Sequence, residues 1–170
     1  MWKWMRGAAV LGASLLLSGT AAFGQATPNA KACALLPIAE LESLFGAKAT
    51  TPKGADGSTM SLCSANFGDL RNQASVNVRP PSAADQAMSI EQRLDMLKKV
   101  GGKGPFESKA LGSAGCFRSQ MEMGEKPLPT TTCFQLNGGY LGIAISGDDP
   151  KLVSFDAVKA LLEKAVAKRR

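Results

Sequence analysis

The chain has 170 residues, a formal charge of +6 and 6% aromatic residues, a length that suits one domain of ordinary size. It contains no histidine, which excludes Ser–His and Cys–His nucleophile systems and removes the commonest metal and proton-shuttle ligand. It carries no basic stripe interleaved with aromatics, so nucleic acid is excluded as a partner.

Residues 1–6 hold Lys3 and Arg6, and residues 7–17 form a short apolar run. That run is too short to remain as a bilayer anchor and reads as the core of a secretory signal peptide. Gly24-Gln25-Ala26 sets the expected cleavage after Ala26, with Gly24 or Ala22 as alternatives. Leu16-Leu17-Ser18-Gly19-Thr20 follows a lipoprotein signal up to Thr20, which stands where the lipidated cysteine is required. The expectation is a soluble periplasmic or extracellular product, a single domain over residues 27–170, with no integral membrane anchor. Loss of Lys3 and Arg6 lowers the charge to +4. Four of the remaining cations, Lys164, Lys168, Arg169 and Arg170, crowd the C-terminal end, where a helix dipole favours them.

Residues 27–32 read as a frayed leader. A first helix over 37–45 has Pro37 in its first turn, Glu40 and Glu42 near its positive end, and Gly46 as its stop. Residues 48–58, with Pro52, Gly54 and Gly57, read as a loop. Strands over 59–67 and 73–79 follow, joined by the turn-like 68–72. Ser82 caps a second helix over 83–99, with Asp85 in the capping-box position. Gly101-Gly102-Lys103-Gly104-Pro105 ends it as a mobile turn. Residues 116–147 form a three-stranded meander whose tightest turn is Asn137-Gly138-Gly139. A third helix over 150–168 carries the broad stripe Leu152, Phe155, Val158, Leu161, Leu162, Ala165 and Val166. The expected fold class is therefore α+β: one antiparallel sheet of about five strands in the order α-β-β-α-β-β-β-α. Helices cover mainly one face, and two disulfides staple the domain.

Cys33, Cys63, Cys116 and Cys133 are even in number, lie in the expected exported part and include no Cys-x-x-Cys pair. They read as two structural disulfides rather than redox thiols or a zinc site, and no metal or cofactor is expected. Cys116 and Cys133 stand equidistant from the polar loop between two strands, so they face one another across the hairpin. Cross-strand Cα separations of roughly 4.5–5.5 Å lie within disulfide reach. Cys33–Cys63 is then the second bond.

Alternation along the strands divides the sheet in two. One face is expected to hold Met60, Leu62, Val76, Val78, Phe117, Phe134, Leu136, Leu141, Ile143 and Ile145, and to lie under the helices. The other holds Ser61, Cys63, Ala65, Ser75, Asn77, Arg79, Cys116, Arg118, Cys133, Gln135, Tyr140, Gly142 and Ala144. On that second face Arg79 and Arg118 are the candidate anion donors, Tyr140 a candidate wall, and the small residues leave room for a ligand.

Several short stretches are similar to a family of small exported proteins of unknown function. The family includes lipoproteins and the external sensor domains of some actinobacterial receptor-like Ser/Thr kinases. The matching residues are Cys33-Ala34-Leu35-Leu36 before a helix ending Leu44-Phe45-Gly46, Cys63 with Phe67 soon after, and Leu111-Gly112-Ser113-Ala114. The last two strands and the terminal amphipathic helix extend the match over most of the expected mature chain. The resemblance implies an antiparallel sheet with helices packed on one side and a ligand-binding cleft. It brings no catalytic residues. The missing lipid-bearing cysteine and kinase segment separate this chain from a signalling role.

The reading that best fits these signals is an exported, non-enzymatic binding or sensor-like domain for a small ligand or an envelope protein. The alternatives are an envelope structural or protein-interaction module and, behind it, a His-independent hydrolase using Asp148-Asp149. Adjacent acids ahead of Pro150 more often cap the following helix than form an acid–base pair, because neighbouring side chains diverge.

Overall fold

The computed structural model describes residues 26–100, 106–121 and 126–169. All but the last residue of the expected signal segment 1–26 lies outside the described residues, as do residues 101–105, where a turn was expected, residues 122–125, which include the start of the loop expected over 123–129, and Arg170.

Seven antiparallel strands form a single sheet: β1 Lys53–Asp56, β2 Ser61–Phe67, β3 Asp69–Val78, β4 Glu107–Leu111, β5 Ala114–Met121, β6 Leu128–Gln135 and β7 Leu141–Ser146. Their spatial order is β1-β2-β3-β7-β6-β5-β4. Two meanders therefore meet along the β3–β7 seam, where Val76 pairs with Ile143. The helices are α1 Ile38–Phe45, α2 Ala83–Ala87, α3 Ile90–Val100 and α4 Phe155–Arg169, with a 3-10 helix at Lys31–Leu35.

The sheet exceeds the expected five strands by its two edges, β1 and β4. Both are short and polar, KGAD and ESKAL, so neither carries an apolar alternation that would mark it. Residues 27–32 are also not a frayed leader. Thr27 N donates to Gly54 O at 2.7 Å, Gly54 N donates back to Thr27 O at 2.9 Å, and Ala30 and Ala32 are buried. The chain thus closes the β1 edge with its own leading segment.

The expected long second helix is two helices. Ser82 caps α2 as expected, its Oγ accepting from Asp85 N at 3.0 Å. Ser89 then opens α3 with a second, reciprocal box: its Oγ accepts from Gln92 N at 3.2 Å and its N donates to Gln92 Oε1 at 2.8 Å. Two caps seven residues apart restart the helix, and Met88 between them is extended. Ser89→Ala will destabilise the fold by about 1 kcal/mol, read from the urea midpoint at unchanged slope. The last helix starts five residues later than expected, because residues 150–153 form a turn held by Leu152 N donating to Asp149 O at 3.1 Å.

The main core lies between one face of the sheet and the 3-10 helix, α1 and α4. Leu41 of α1 is fully buried and Phe45 stacks on Phe67 at 4.7 Å. Val158, Leu161, Leu162 and Ala165 recur at helical spacing and bury α4 against β6 and β7. One helix departs from that face: α3 packs against β4 and β5 from the opposite side. A Cβ at Gly115 would stand 2.9 Å from Ile90 Cγ2 and 2.6 Å from the Phe134 ring, so only glycine admits that approach.

Candidate functional site

Both disulfides form with the expected partners, Cys33–Cys63 and Cys116–Cys133. Directly opposed residues of antiparallel strands point to the same side. Gly54, Cys63, Val76, Ile143, Cys133 and Cys116 therefore make one row across the sheet. That row faces the main core. The other face carries Leu62, Asn77, Gly142, Phe134 and Gly115 in a second row. The alternation within each strand is as expected, but the sets join differently across strands. The cysteines share a face with Leu141, Ile143 and Ile145, while Phe117 and Phe134 share theirs with Gly142 and Ala144.

This register separates the residues expected to form one ligand face. Arg118 belongs to the cysteine face, and its donors are spent inside the fold. Its Nη1 donates to Glu107 Oε2 at 3.1 Å, its Nη2 to Val153 O at 3.2 Å and its Nε to Thr131 Oγ1 at 3.5 Å. Its guanidinium also lies 5.2 Å from the centre of the Phe155 ring. Arg118 thus ties the β5–β6 hairpin to the segment entering α4. A hollow of about 180 Å³ beside it is lined also by Gln120, Pro129, Asp148 and Pro150.

Arg79 and Tyr140 come together on the opposite side. Arg79 N donates to Tyr140 O at 2.9 Å, and the Arg79 guanidinium lies 4.3 Å from the centre of the Tyr140 ring. Phe134 stacks on the same ring at 5.6 Å. The phenol lies over Gly142, where a Cβ would stand 2.6 Å from Tyr140 Oη, so the strand can carry no side chain there. Nearby, Arg93 of α3 pairs with the buried Asp85 of α2 at 3.6 Å. Burial raises the Tyr140 pKa above its ordinary value of 10.0, with the Arg79 charge opposing that rise. The folded state therefore favours the neutral phenol. Its contribution to stability is complete below the unfolded-state pKa and is lost as pH rises through the folded pKa. Tyr140 is the single tyrosine of the chain. Phenolate absorbance should therefore appear only above pH 10.0 and together with alkaline unfolding, and Tyr140→Phe should flatten the alkaline decline in stability.

The larger of two described hollows, about 270 Å³, lies where the ends of several elements meet, with Arg79 among its lining residues at the end of β3. The 3-10 helix supplies Lys31, β1 and its turn supply Asp56, Ser58, Thr59 and Met60, the end of β3 supplies Val78 to Pro80, and α4 supplies Arg169. Both carboxylate oxygens of Asp56 accept from the backbone N of Lys31, at 3.2 and 3.4 Å. Ser61 Oγ accepts from Ala32 N at 2.9 Å. Arg169 donates from Nη1 to Gly139 O at 3.3 Å and from Nη2 to Gly138 O, which locks the helix end over the β6–β7 turn. The Nε of Arg79 is buried in the Tyr140 layer on the opposite face of the sheet, with no hydrogen-bond partner among the described residues. Sequence reasoning found Arg79 but missed Lys31, Asp56 and Arg169. They come from three distant segments, and no local pattern joins them.

The acids at the β7 exit take different partners. Asp148 takes a two-pronged ion pair from Arg71, 2.6 Å on each oxygen, which lowers its pKa. Asp149 Oδ1 instead accepts from Lys151 N at 2.8 Å. Among the described residues no three His, Cys, Asp or Glu side chains group closely enough to hold a metal ion, and no helix is long and apolar enough to cross a membrane. No family model, no curated protein and no solved structure matches this chain.

Proposed function

We propose that this chain is an exported, non-enzymatic binding domain that holds a small ligand in the hollow between the 3-10 helix, the β1–β2 turn, the end of β3 and the end of α4. The observation that carries this reading is the hollow itself, a concavity of about 270 Å³ built by the ends of four elements, with Lys31, Arg79 and Arg169 among its lining residues beside a single acid, Asp56. Ligand sites are concave, mostly apolar and set with a few polar groups, and Met60, Val78 and Pro80 beside Ser58, Thr59 and the cations have that composition. Two disulfides are consistent with export to an oxidising compartment. The likeness to external sensor domains in the Cys33–Leu36 and Leu111–Ala114 segments points the same way.

A thermal-shift screen of small polar metabolites against the full chain tests the proposal. At least one compound should raise the melting temperature in a saturable way, and the shift should vanish in Lys31→Glu. Compounds that stabilise the parent and this variant equally would place binding elsewhere.

A further inference from the structure

We propose that the free edge of β4 is a self-association surface, through which two copies of this chain join their sheets in a weak, reversible dimer. The two edges of the sheet are finished differently. Thr27 pairs with Gly54 and closes β1. Beyond β4 there is no further strand or bridge among the described residues, and no backbone hydrogen bond among them reaches its outer side. Glu107, Lys109 and Ala110 of this strand are exposed. An uncovered edge offers a row of backbone donors and acceptors to another strand. This edge lies across the whole sheet from β1 and the hollow, so the proposal does not depend on the binding site.

The hairpin turn fixes which backbone groups are free. Gly112 and Ser113 make a two-residue turn closed by Leu111 opposite Ala114, with Gly112 at φ 67°. Residues that close such a turn exchange both backbone hydrogen bonds, and bonded pairs then alternate with non-bonded pairs along the strands. Leu111, Lys109 and Glu107 therefore spend their N–H and C=O groups on β5, while Ala110 and Ser108 turn theirs outward. Two copies pairing antiparallel must match outward residues with outward residues, and charge chooses among the registers this leaves. Ser108 opposite Ser108 of the second copy sets Glu107 opposite Lys109 on both sides of the two-fold axis. Centring the pair on Lys109 or on Glu107 instead sets like charges directly opposite, which repels. Centring it on Ala110 gives no ion pair. In the favoured register Glu107 stands between Lys109 of the second copy and Arg118, whose Nη1 donates to Glu107 Oε2 at 3.1 Å. On the other face Ala110 meets Phe106 of the second copy, a ring that within each chain stacks on Phe117 at 5.4 Å. A strand of 5 residues makes a small contact, so the dimer is weak.

The experiment follows backbone amide exchange by NMR in the isotope-labelled full chain, from micromolar to millimolar protein. At the dilute end Lys109 should be protected, while Ser108 and Ala110 exchange freely. At the concentrated end Ser108 and Ala110 should gain protection, reversibly on dilution. Glu107→Lys alone and Lys109→Glu alone each place like charges opposite one another and should associate about tenfold more weakly. Labelled Glu107→Lys should regain protection at Ser108 and Ala110 when unlabelled Lys109→Glu is added, because one chain then offers two cations to the two acids of the other. Recovery on mixing separates the interface from any folding defect in either variant. Free exchange of Ser108 and Ala110 at every concentration would overturn the proposal. Protection of both amides that does not change with concentration would overturn it too, by showing the edge covered within one chain. Protection that rises with concentration equally in the parent and in each variant alone would overturn the register and the charge pairing that selects a second copy.

Discussion

Phe134→Ala will lower the unfolding free energy by about 3–5 kcal/mol, the range for emptying a fully buried aromatic site. Phe134 is completely buried on the sheet face that the sequence reading left open. It stacks on Tyr140 at 5.6 Å, meets Phe117 at 6.5 Å and fills the space above Gly115. Its neighbours cannot close the gap, because Gly115 and Gly142 bring no side chains of their own and β6 is fixed between β5 and β7. The loss reads out as a lower urea midpoint. It should also free the Tyr140 ring and bring the phenol closer to its ordinary pKa, since burial is the leading cause of the rise. A cost below about 1 kcal/mol would mean that this aromatic layer is a solvent-facing surface rather than a second packed layer.

The second large effect belongs to the β5–β6 staple. Cys116→Ala combined with Cys133→Ala will cost about 3 kcal/mol, the loop-closure value for a bond spanning a separation of 17 residues. Both sulfurs lie in the main core, where Cys133 is paired across the sheet with Ile143 and each cysteine is 0% exposed. The bond should therefore resist a thiol reductant at native conditions and open only as the domain unfolds. Alkylation with mass spectrometry checks this. Rapid labelling of Cys116 in folded protein would show the bond at the surface. Changing only one partner leaves an unpaired thiol and tests a different question.

Much of the chain could be read locally. Ser82 and Asp85 announced a cap, Gly46 a helix stop, and equal spacing about one loop announced Cys116–Cys133. Each depends on residues close in sequence or on a single turn. The cross-strand joining of faces did not follow, because this sheet is covered on both sides. Leu141, Ile143 and Ile145 serve one layer, while Phe117 and Phe134 serve the other. Each alternating set thus contains apolar residues, and apolar content cannot choose between them. The cysteines carried the missing signal. Disulfide-bonded sulfur is among the most buried of side-chain groups, so the Cys116–Cys133 pair should have been assigned to the core with Ile143. That one step would also have moved Arg118 away from Arg79 and Tyr140. Of the candidate site only Arg79 was legible, at the end of β3. Its other charges depend on the leading segment closing the β1 edge and on α4 ending above the β6–β7 turn, both of which are tertiary outcomes.

The central claim is that binding occurs where these ends meet and not on the polar sheet face. The direct measurement is an amide chemical-shift map of the full chain against a fragment set. The account predicts that the perturbed amides cluster at Lys31, residues 56–61 and Arg79, beside the hollow. Perturbations centred instead on Ser64, Ser75 and Thr132, in the middle of the opposite face of the sheet, would contradict it.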